Sequence, residues 1–394
     1  MLPDYYEFYN PVKIVAGRKA VDNLPYEIDK LGCKKPLIIT DKGVVKAGLI
    51  DIIKKSFYDS HITDYHIYDE TPSDSSVRIV NEVVKIYKSN NCDVLIAVGG
   101  GSSIDTAKGV NIVVTEKSDD LKKFMGAEML NKPMDPMIVI PTTAGTGSEV
   151  TLVAVIKDEE KNVKMEFTSY FLLPKVAILD PRMTLSLPPK ITAATGMDAL
   201  THATEAYISV QKNPMSDAYA FNAIKLISEN LIEVVKNPKD EKRRFAMANA
   251  ATMAGVSFSN AMVGIVHCLG HSAGALCKIH HGTAMSIFLP FGLKHNLNKV
   301  EEYIGELLLP LGGADEYAKT PKSKRAYRAI DLIYKLRDEL KEICGLPTTL
   351  KEAGVKEEQF DDIAKNAIND GAHIFNPEDM DFNEALKIIK EAYN

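Results

Sequence analysis

No uninterrupted apolar run in this chain is long enough to cross a bilayer. The most apolar long window, Phe245 to Val266, is broken by Asn249, Ser257, Ser259 and Asn260, whereas a membrane helix needs about 20 predominantly apolar residues. Its richness in Ala, Gly and Met reads as a helix buried among other helices, so no membrane is expected as a partner. A basic stripe is missing too. The formal net charge is -6, and acidic and basic residues are interspersed, which argues against nucleic acid as a main partner. The opening residues, MLPDYYEFYNP, lack the basic and apolar stretches of a secretory leader. Cysteine is scarce and scattered, at Cys33, Cys92, Cys268, Cys277 and Cys344. An odd, dispersed set argues against a disulfide framework and for a reduced, cytoplasmic protein. Neither an internal repeat nor a low-complexity segment is visible.

At 394 residues the chain is long for one core, so two domains are expected. Up to about residue 180, short β-branched runs alternate with amphipathic ones. Pro36–Thr40, His61–Tyr68, Val94–Val98 and Pro136–Ile140 read as strands. Lys46–Phe57 and Ser75–Ser89 read as helices between them. This alternation predicts a doubly wound α/β domain with a parallel sheet over residues 1–180. After Asp180-Pro181 strand-like runs vanish. Helical patterns punctuated by Asn213-Pro214, Asn237-Pro238, Pro310 and Gly345-Leu346-Pro347 predict an all-α domain over 181–394.

The chemistry of the first domain is expected in its loops. The run VLIAV leads directly into GGGSSIDTAKG, residues 99–109. A strand, a glycine turn and a helix start form an anion site, because backbone N–H groups at the helix N-terminus face the ligand. Gly99, Gly100 and Gly101 let the backbone approach a pyrophosphate without side-chain clash. The pattern is neither G-x-G-x-x-G nor a P-loop, and its plainer reading is a tight turn with Ser102 as helix N-cap. A second loop, PTTAGTGSEVT at 141–151, presents hydroxyls at Thr142, Thr143, Thr146 and Ser148. Loops after strand C-termini are where open α/β sheets bind ligands. Asp41 follows the strand Pro36–Thr40, where a carboxylate would hold a ribose 2′-OH or, more plainly, cap a helix.

The second domain concentrates histidine. Of nine histidines, His267, His271, His280 and His281 fall within fifteen residues, HCLGHSAGALCKIHH. Asp198 and His202 lie four apart, on one face of a helix, and His267 and His271 repeat that spacing. A carboxylate and several neutral imidazoles converging on a point suit a divalent transition metal. Cys268 and Cys277 lie near enough to be ligands but read as small core residues.

Taken together, TDKG at 40–43, GGGSSIDTAKG at 99–109, PTTAGTGSE at 141–149, ATGMDALTHATEAY at 194–207 and HCLGHSAGALCKIHHG at 267–282 resemble the iron-containing (metal-dependent) alcohol dehydrogenase family. The resemblance spans essentially the whole chain. It implies a dinucleotide-binding domain, a helical metal-binding and substrate domain, and a cleft between them, the architecture shared with dehydroquinate synthase. It implies Asp198, His202, His267 and His281 as metal ligands and His271 as a catalytic group beside the metal. Cofactor contacts are implied at Asp41, Gly99, Gly100, Gly101, Ser102, Asp105, Thr142, Thr143, Thr146, Ser148 and Lys164, with Phe258 lining the substrate pocket. The metal is expected to be Fe(2+), with Zn(2+) equally suited to the donors. NAD is expected over NADP, because Asp41 would repel a 2′-phosphate, although Lys42 next to it would shrink the gap.

Three positions depart from the family's usual pattern: Ser103 after the glycines, Ser272 after His271, and the pair His280-His281. Spacing from His271 and the following Gly282 favour His281 as the ligand. The activity implied is NAD(P)-linked alcohol dehydrogenase or aldehyde reductase on small alcohols, diols or the matching aldehydes, by a homo-oligomer (dimer or larger). The alternatives are a dehydroquinate synthase-like or glycerol dehydrogenase-like enzyme of the same fold. The former needs convergent cations for an anionic substrate, and only Lys278 and Lys294 lie near the histidines. A non-catalytic nucleotide-binding protein would not need the intact ligand set.

Overall fold

The structure, a computed structural model, describes residues 3–161 and 163–394. The chain forms two compact units: residues 9–186, and residues 187–394 with the segment up to residue 8.

In the first unit the chain runs through β1 (Lys13–Ala16), α1 (Leu24–Lys30), β2 (Pro36–Ile39), α2 (Lys42–Lys46), α3 (Leu49–Ser56), β3 (His66–Tyr68), α4 (Val77–Ser89) and β4 (Val94–Gly99). It continues through α5 (Gly101–Thr115), β5 (Gly126–Ala127), β6 (Met137–Pro141), β7 (Val153–Asp158), β8 (Val163–Thr168) and β9 (Val176–Leu179). Six strands form one parallel sheet in the order β1-β9-β6-β4-β2-β3. The apolar runs are continuous because both faces are covered. Leu37, Leu95, Ala97 and Val139 face a core built with α4 and α5. Ile38, Ile96, Val98 and Ile140 face another built with α1 and α3.

The order places a topological switch at the centre of the sheet. β2 leads to β3 on one side and β4 leads to β6 on the other. The connections therefore diverge between β2 and β4, and the crevice beyond their C-terminal ends is where such sheets take ligands.

Several boundaries differ from expectation. The helix expected over Lys46–Phe57 begins only at Leu49, as α3, after Gly48 with its left-handed φ of 75°, and the short α2 before it lies almost wholly outside that expectation. The strand expected over His61–Tyr68 shrinks to His66–Tyr68. β1 and β9, and a small second sheet in the order β5-β8-β7, were not anticipated. β7 and β8 are antiparallel, pairing Val153 with Thr168 and Asp158 with Val163.

The second unit is helical, and among the described residues no strand follows Leu179. Its helices are α6 (Pro189–Ile208), α7 (Pro214–Lys236), α8 (Glu241–Ala261), α9 (Ile265–Cys277), α10 (His281–Glu306), α11 (Leu308–Lys319), α12 (Arg325–Cys344), α13 (Phe360–Ala367) and α14 (Phe382–Glu391). Every residue of α6 from Thr192 to Ile208 is buried. A helix buried all round is a central one, and α7, α8, α10 and α12 pack against it. The window Phe245–Val266 is not one helix. It ends at Ala261, turns through Met262 at φ 65°, and restarts at Ile265 with a bend of 108°. Among the described residues no single helix is long and apolar enough to cross a membrane.

Candidate metal centre and candidate dinucleotide loops

The first unit gathers its predicted loops on one rim. Asp41 follows β2, Gly99–Gly101 end β4 and open α5, and residues 141–148 follow β6, whose Pro141 pairs in register with Gly99. Thr142 N–H donates to the Gly99 carbonyl at 3.0 Å. The glycines are tightly packed, Gly99 most of all. A Cβ on Gly99 would lie 2.4 Å from Ser103 Oγ, and one on Gly101 would lie 3.2 Å from Thr146 Cγ2. Thr143 stands equally close to Gly100, at 3.3 Å from such a Cβ.

The N-cap of α5 is Gly100. Ser102 is therefore not the cap, and its hydroxyl donates to the Ser73 carbonyl instead. Asp41 does cap α2, accepting from Val44 N–H at 3.0 Å through Oδ1, while Oδ2 lies 3.6 Å from where a Gly99 Cβ would stand. Capping and facing the glycine turn are thus compatible for one carboxylate. Lys42 is engaged elsewhere, with Asp69 at 2.8 Å and Glu70 at 3.3 Å. Asp105 accepts from Ser148 Oγ (3.1 Å) and Val155 N–H (3.2 Å), so it ties two segments of its own unit together. Thr146 Oγ1 accepts from Ser148 N–H at 3.3 Å. Lys164, on β8, pairs with Asp74 at 3.3 Å.

One residue on this rim escaped the sequence reading. Lys108 is fully buried on α5 and donates to Ser148 Oγ (3.2 Å), Thr151 Oγ1 (3.1 Å) and the carbonyls of Thr151 (2.8 Å) and Val153 (2.7 Å). Burial pushes its ammonium down to about 8, against the pull of Asp105. Its bonds clamp the second loop to α5.

In the helical unit Asp198, His202, His267 and His281 each offer one ligand atom, and these atoms all lie within 4.8 Å of one another. α6 supplies Asp198 and His202 one turn apart, α9 supplies His267, and the first residue of α10 supplies His281. His280 is the N-cap of α10 and stands outside the group. Gly282 explains the junction: a Cβ there would lie 2.2 Å from the Ala194 carbonyl oxygen and 3.3 Å from Asp198 Cβ. Only a glycine lets α10 start against α6 at the level of Asp198.

The electrostatics prepare donors. Burial drives His202 down to about 3 and His267 well below the ordinary imidazole range, so both are neutral at pH 7. Burial alone would raise the Asp198 carboxyl, but the surrounding imidazoles, His202 foremost, hold it below its usual value. His202 Nδ1 and His267 Nε2 are buried with no hydrogen-bond partner, and Asp198 Oδ1, equally buried and without a well-formed hydrogen bond, has only His281 Nε2 beside it at 3.2 Å. Buried polar atoms are rarely left so. Three of them on one small cluster, with an ionised carboxylate and neutral imidazoles, make a donor set that fits a divalent metal.

Around this group the rings stack. Phe258 lies on His202, centroids 4.3 Å apart and planes 17° from parallel. His271 stacks on His281 at 5.4 Å and meets His267 edge-on at 5.5 Å. Two carboxylates here were also missed. Asp370 Oδ2 accepts from His271 Nδ1 at 2.9 Å, a bond that draws its carboxyl below the usual range although burial opposes this. Glu205 Oε2 is bonded to His267 Nδ1, and burial lifts its carboxyl to about 7. Glu205 was legible: it lies three residues after His202 and seven after Asp198, on the same helix face. Asp370 carried no local signal, being 99 residues from His271.

Comparison with known proteins gives the family. The sequence pattern of iron-containing alcohol dehydrogenases matches residues 11–181, and that of the Fe-containing alcohol dehydrogenase family, C-terminal, matches 192–393. The chain is 37% identical to an NAD-dependent methanol dehydrogenase of Bacillus methanolicus, covering 98% of this chain and 99% of that one. It is 36% identical to a 1,3-propanediol dehydrogenase of Citrobacter freundii, with 96% of each covered. A solved 1,3-propanediol oxidoreductase superposes with a TM-score of 0.94 at 34% identity, over 99% of this chain and 100% of that one. The chain belongs to the iron-containing alcohol dehydrogenase family. It is thereby a metal-dependent alcohol dehydrogenase or aldehyde reductase linked to a nicotinamide dinucleotide.

The contact at Gly282 yields a test. Gly282→Ala is expected to force α10 from α6 and displace His281, with an overpacking cost of about 1–3 kcal/mol. Calorimetric melting and metal analysis of the purified variant should show a lower Tm together with reduced metal content. A variant with wild-type values for both would mean the junction relaxes without cost.

Proposed function

We propose that this enzyme interconverts small primary alcohols or diols and the matching aldehydes, with Fe(2+) at Asp198, His202, His267 and His281 and with NAD preferred over NADP. Zn(2+) suits the same donors. The observation that carries the reading is the convergence of four ligand atoms from Asp198, His202, His267 and His281 within 4.8 Å, with His202 Nδ1 and His267 Nε2 buried and unpartnered. Relatives named for methanol and 1,3-propanediol support a small substrate. So does Phe258, whose ring against His202 offers an apolar wall beside the donors. A cytoplasmic location is part of the same reading, supported by the five free cysteines. So is a homo-oligomer, for which exposed Tyr5, Tyr6 and Tyr9 offer apolar surface; sedimentation velocity would check it.

When bound, the metal lowers the pKa of an alcohol hydroxyl and the nicotinamide accepts hydride. The chain's own residues supply orientation and proton handling. Asp370 accepts from His271 Nδ1, which leaves His271 Nε2 as the basic nitrogen. Its half-exposed ring, stacked on His281, is placed to take the hydroxyl proton and return it to solvent. On the other unit, the glycine turn and the N-terminus of α5 suit a pyrophosphate. Asp41 suits the ribose hydroxyls, with Lys42 already engaged by Asp69 and Glu70.

Three outcomes follow from these roles. His267→Ala is expected to lose metal and activity together, whereas His280→Ala should keep most of its metal; the reverse pattern in metal analysis would overturn the ligand assignment. His271→Ala should retain metal but lower kcat by about 10²–10⁴-fold, and loss of metal would make it a ligand instead. Asp41→Gly should raise kcat/KM for NADP while NAD weakens only modestly, since glycine at an N-cap costs only a few tenths of a kcal/mol. Unit charges about 4 Å apart repel by roughly 1 kcal/mol in water and about 4 kcal/mol at a dielectric of 20. The wild-type preference for NAD should then lie between about five-fold and nearly a thousand-fold. A wild-type enzyme that prefers NADP would remove Asp41 from the reading.

A further inference from the structure

We infer that Glu205 is a positioning residue that sets both the tautomer of His267 and the start of the helix carrying it. The inference rests on the reading of His267 as a metal ligand. α9 begins at Ile265 without a side-chain cap of its own, since its N-cap is Gly264. Its first N–H groups are taken by other segments. Asn376 Oδ1 accepts from Ile265 N–H at 3.3 Å, and Glu205 Oε1 accepts from Val266 N–H at 2.7 Å. The second oxygen of Glu205 reaches His267 Nδ1 one residue further on. Glu205 thus holds a backbone group and a ring nitrogen of consecutive residues. Gly264 makes room: a Cβ there would lie 2.5 Å from Asn376 Oδ1 and 3.2 Å from Glu205 Oε1. Asn376 is itself locked by Asn296, whose Nδ2 donates to Asn376 Oδ1 at 3.1 Å and whose Oδ1 accepts from Asn376 Nδ2 at 2.8 Å.

The consequence is a matter of protons. A divalent cation bound at this cluster would favour the ionised form of Glu205, which has no proton to donate, so the bond to it then requires the ring proton on Nδ1. The lone pair is then on Nε2, the buried atom left without a partner. A neutral imidazole ligates only through its unprotonated nitrogen, so an ionised Glu205 presents the correct face of His267 to a metal. Outer carboxylates of this kind typically affect metal affinity by 10–100-fold. The two buried carboxylates, Asp198 and Glu205, also balance a divalent charge.

Glu205→Gln separates this role from packing. The amide is nearly isosteric, and its oxygen can still accept from Val266 N–H. Its NH2 then faces His267 Nδ1 and favours the proton on Nε2, the wrong face for ligation. The expected result is metal affinity, read by chelator competition with Zn(2+) and Fe(2+), weaker by about 10–100-fold, while the metal-free Tm stays near wild type. Nitrogen-15 shifts of the His267 ring in the metal-free protein should report the Nδ1–H tautomer in wild type and its loss in the variant. Unchanged metal affinity in Glu205→Gln, alongside loss of metal in His267→Ala, would overturn the role of Glu205 alone. A His267→Ala variant with wild-type metal affinity would overturn the ligand reading on which it stands. A large fall in the metal-free Tm of Glu205→Gln with unchanged tautomer would reduce Glu205 to a helix cap.

Discussion

The structure of the helical unit turns on burying an uncompensated polar group. Asp198, His202 and His267 are each almost fully removed from water, yet one donor atom of each lacks a well-formed hydrogen bond. Leaving a buried polar atom unpaired costs about 1–3 kcal/mol, so three at one point are a liability unless something else occupies their lone pairs. Everything nearby tolerates or exploits that arrangement. α6 is buried on every side, so its two donors cannot turn to solvent. Gly282 lets α10 begin against α6 where His281 completes the group. Glu205 and Asp370 take the opposite ring nitrogens of His267 and His271 and so keep those imidazoles in defined orientations.

The α/β unit solves a different problem, that of bringing three loops to one rim of a parallel sheet. Its sheet places the ends of β2, β4 and β6 side by side. The three glycines at the β4–α5 junction put no side chain of their own over the helix N-terminus. Here the internal bonds matter as much as the exposed ones. Lys108, Asp105 and Ser148 form a buried network that holds the loop after β6 against α5, so the rim is preset rather than gathered on binding. A fully buried ammonium is costly, and Lys108 is retained because four oxygens surround it.

Much of this was legible in the chain. Continuous apolar runs such as Val94–Gly99 and Met137–Pro141 are what a parallel sheet covered on both faces demands. The Asp198–His202 spacing put two donors on one helix face without further information. The hairpin of β7 and β8 was also readable, since its residues alternate between buried and half-exposed, but its lysines and acids masked the pattern. Glu205 lay on the same face as Asp198 and His202 and was passed over because a carboxylate on a helix is ordinary by itself.

What the sequence determined alone was therefore local: strand and helix type from period, the glycine turn from its composition, and donors related by one or two helical turns. The sequence favoured His281 over His280 through the glycine that follows it, and the tertiary structure supplies the reason, the close approach of α10 to α6 at Gly282. The tertiary structure alone joined Asp370 to His271 across 99 residues and turned Lys42 toward Asp69 and Glu70. It alone took Ser102 from the helix cap to the Ser73 carbonyl. In each case the deciding quantity is a distance between segments remote in the chain, and periodicity carries no information about it. The sequence sets which face a side chain occupies, and packing sets what that face meets.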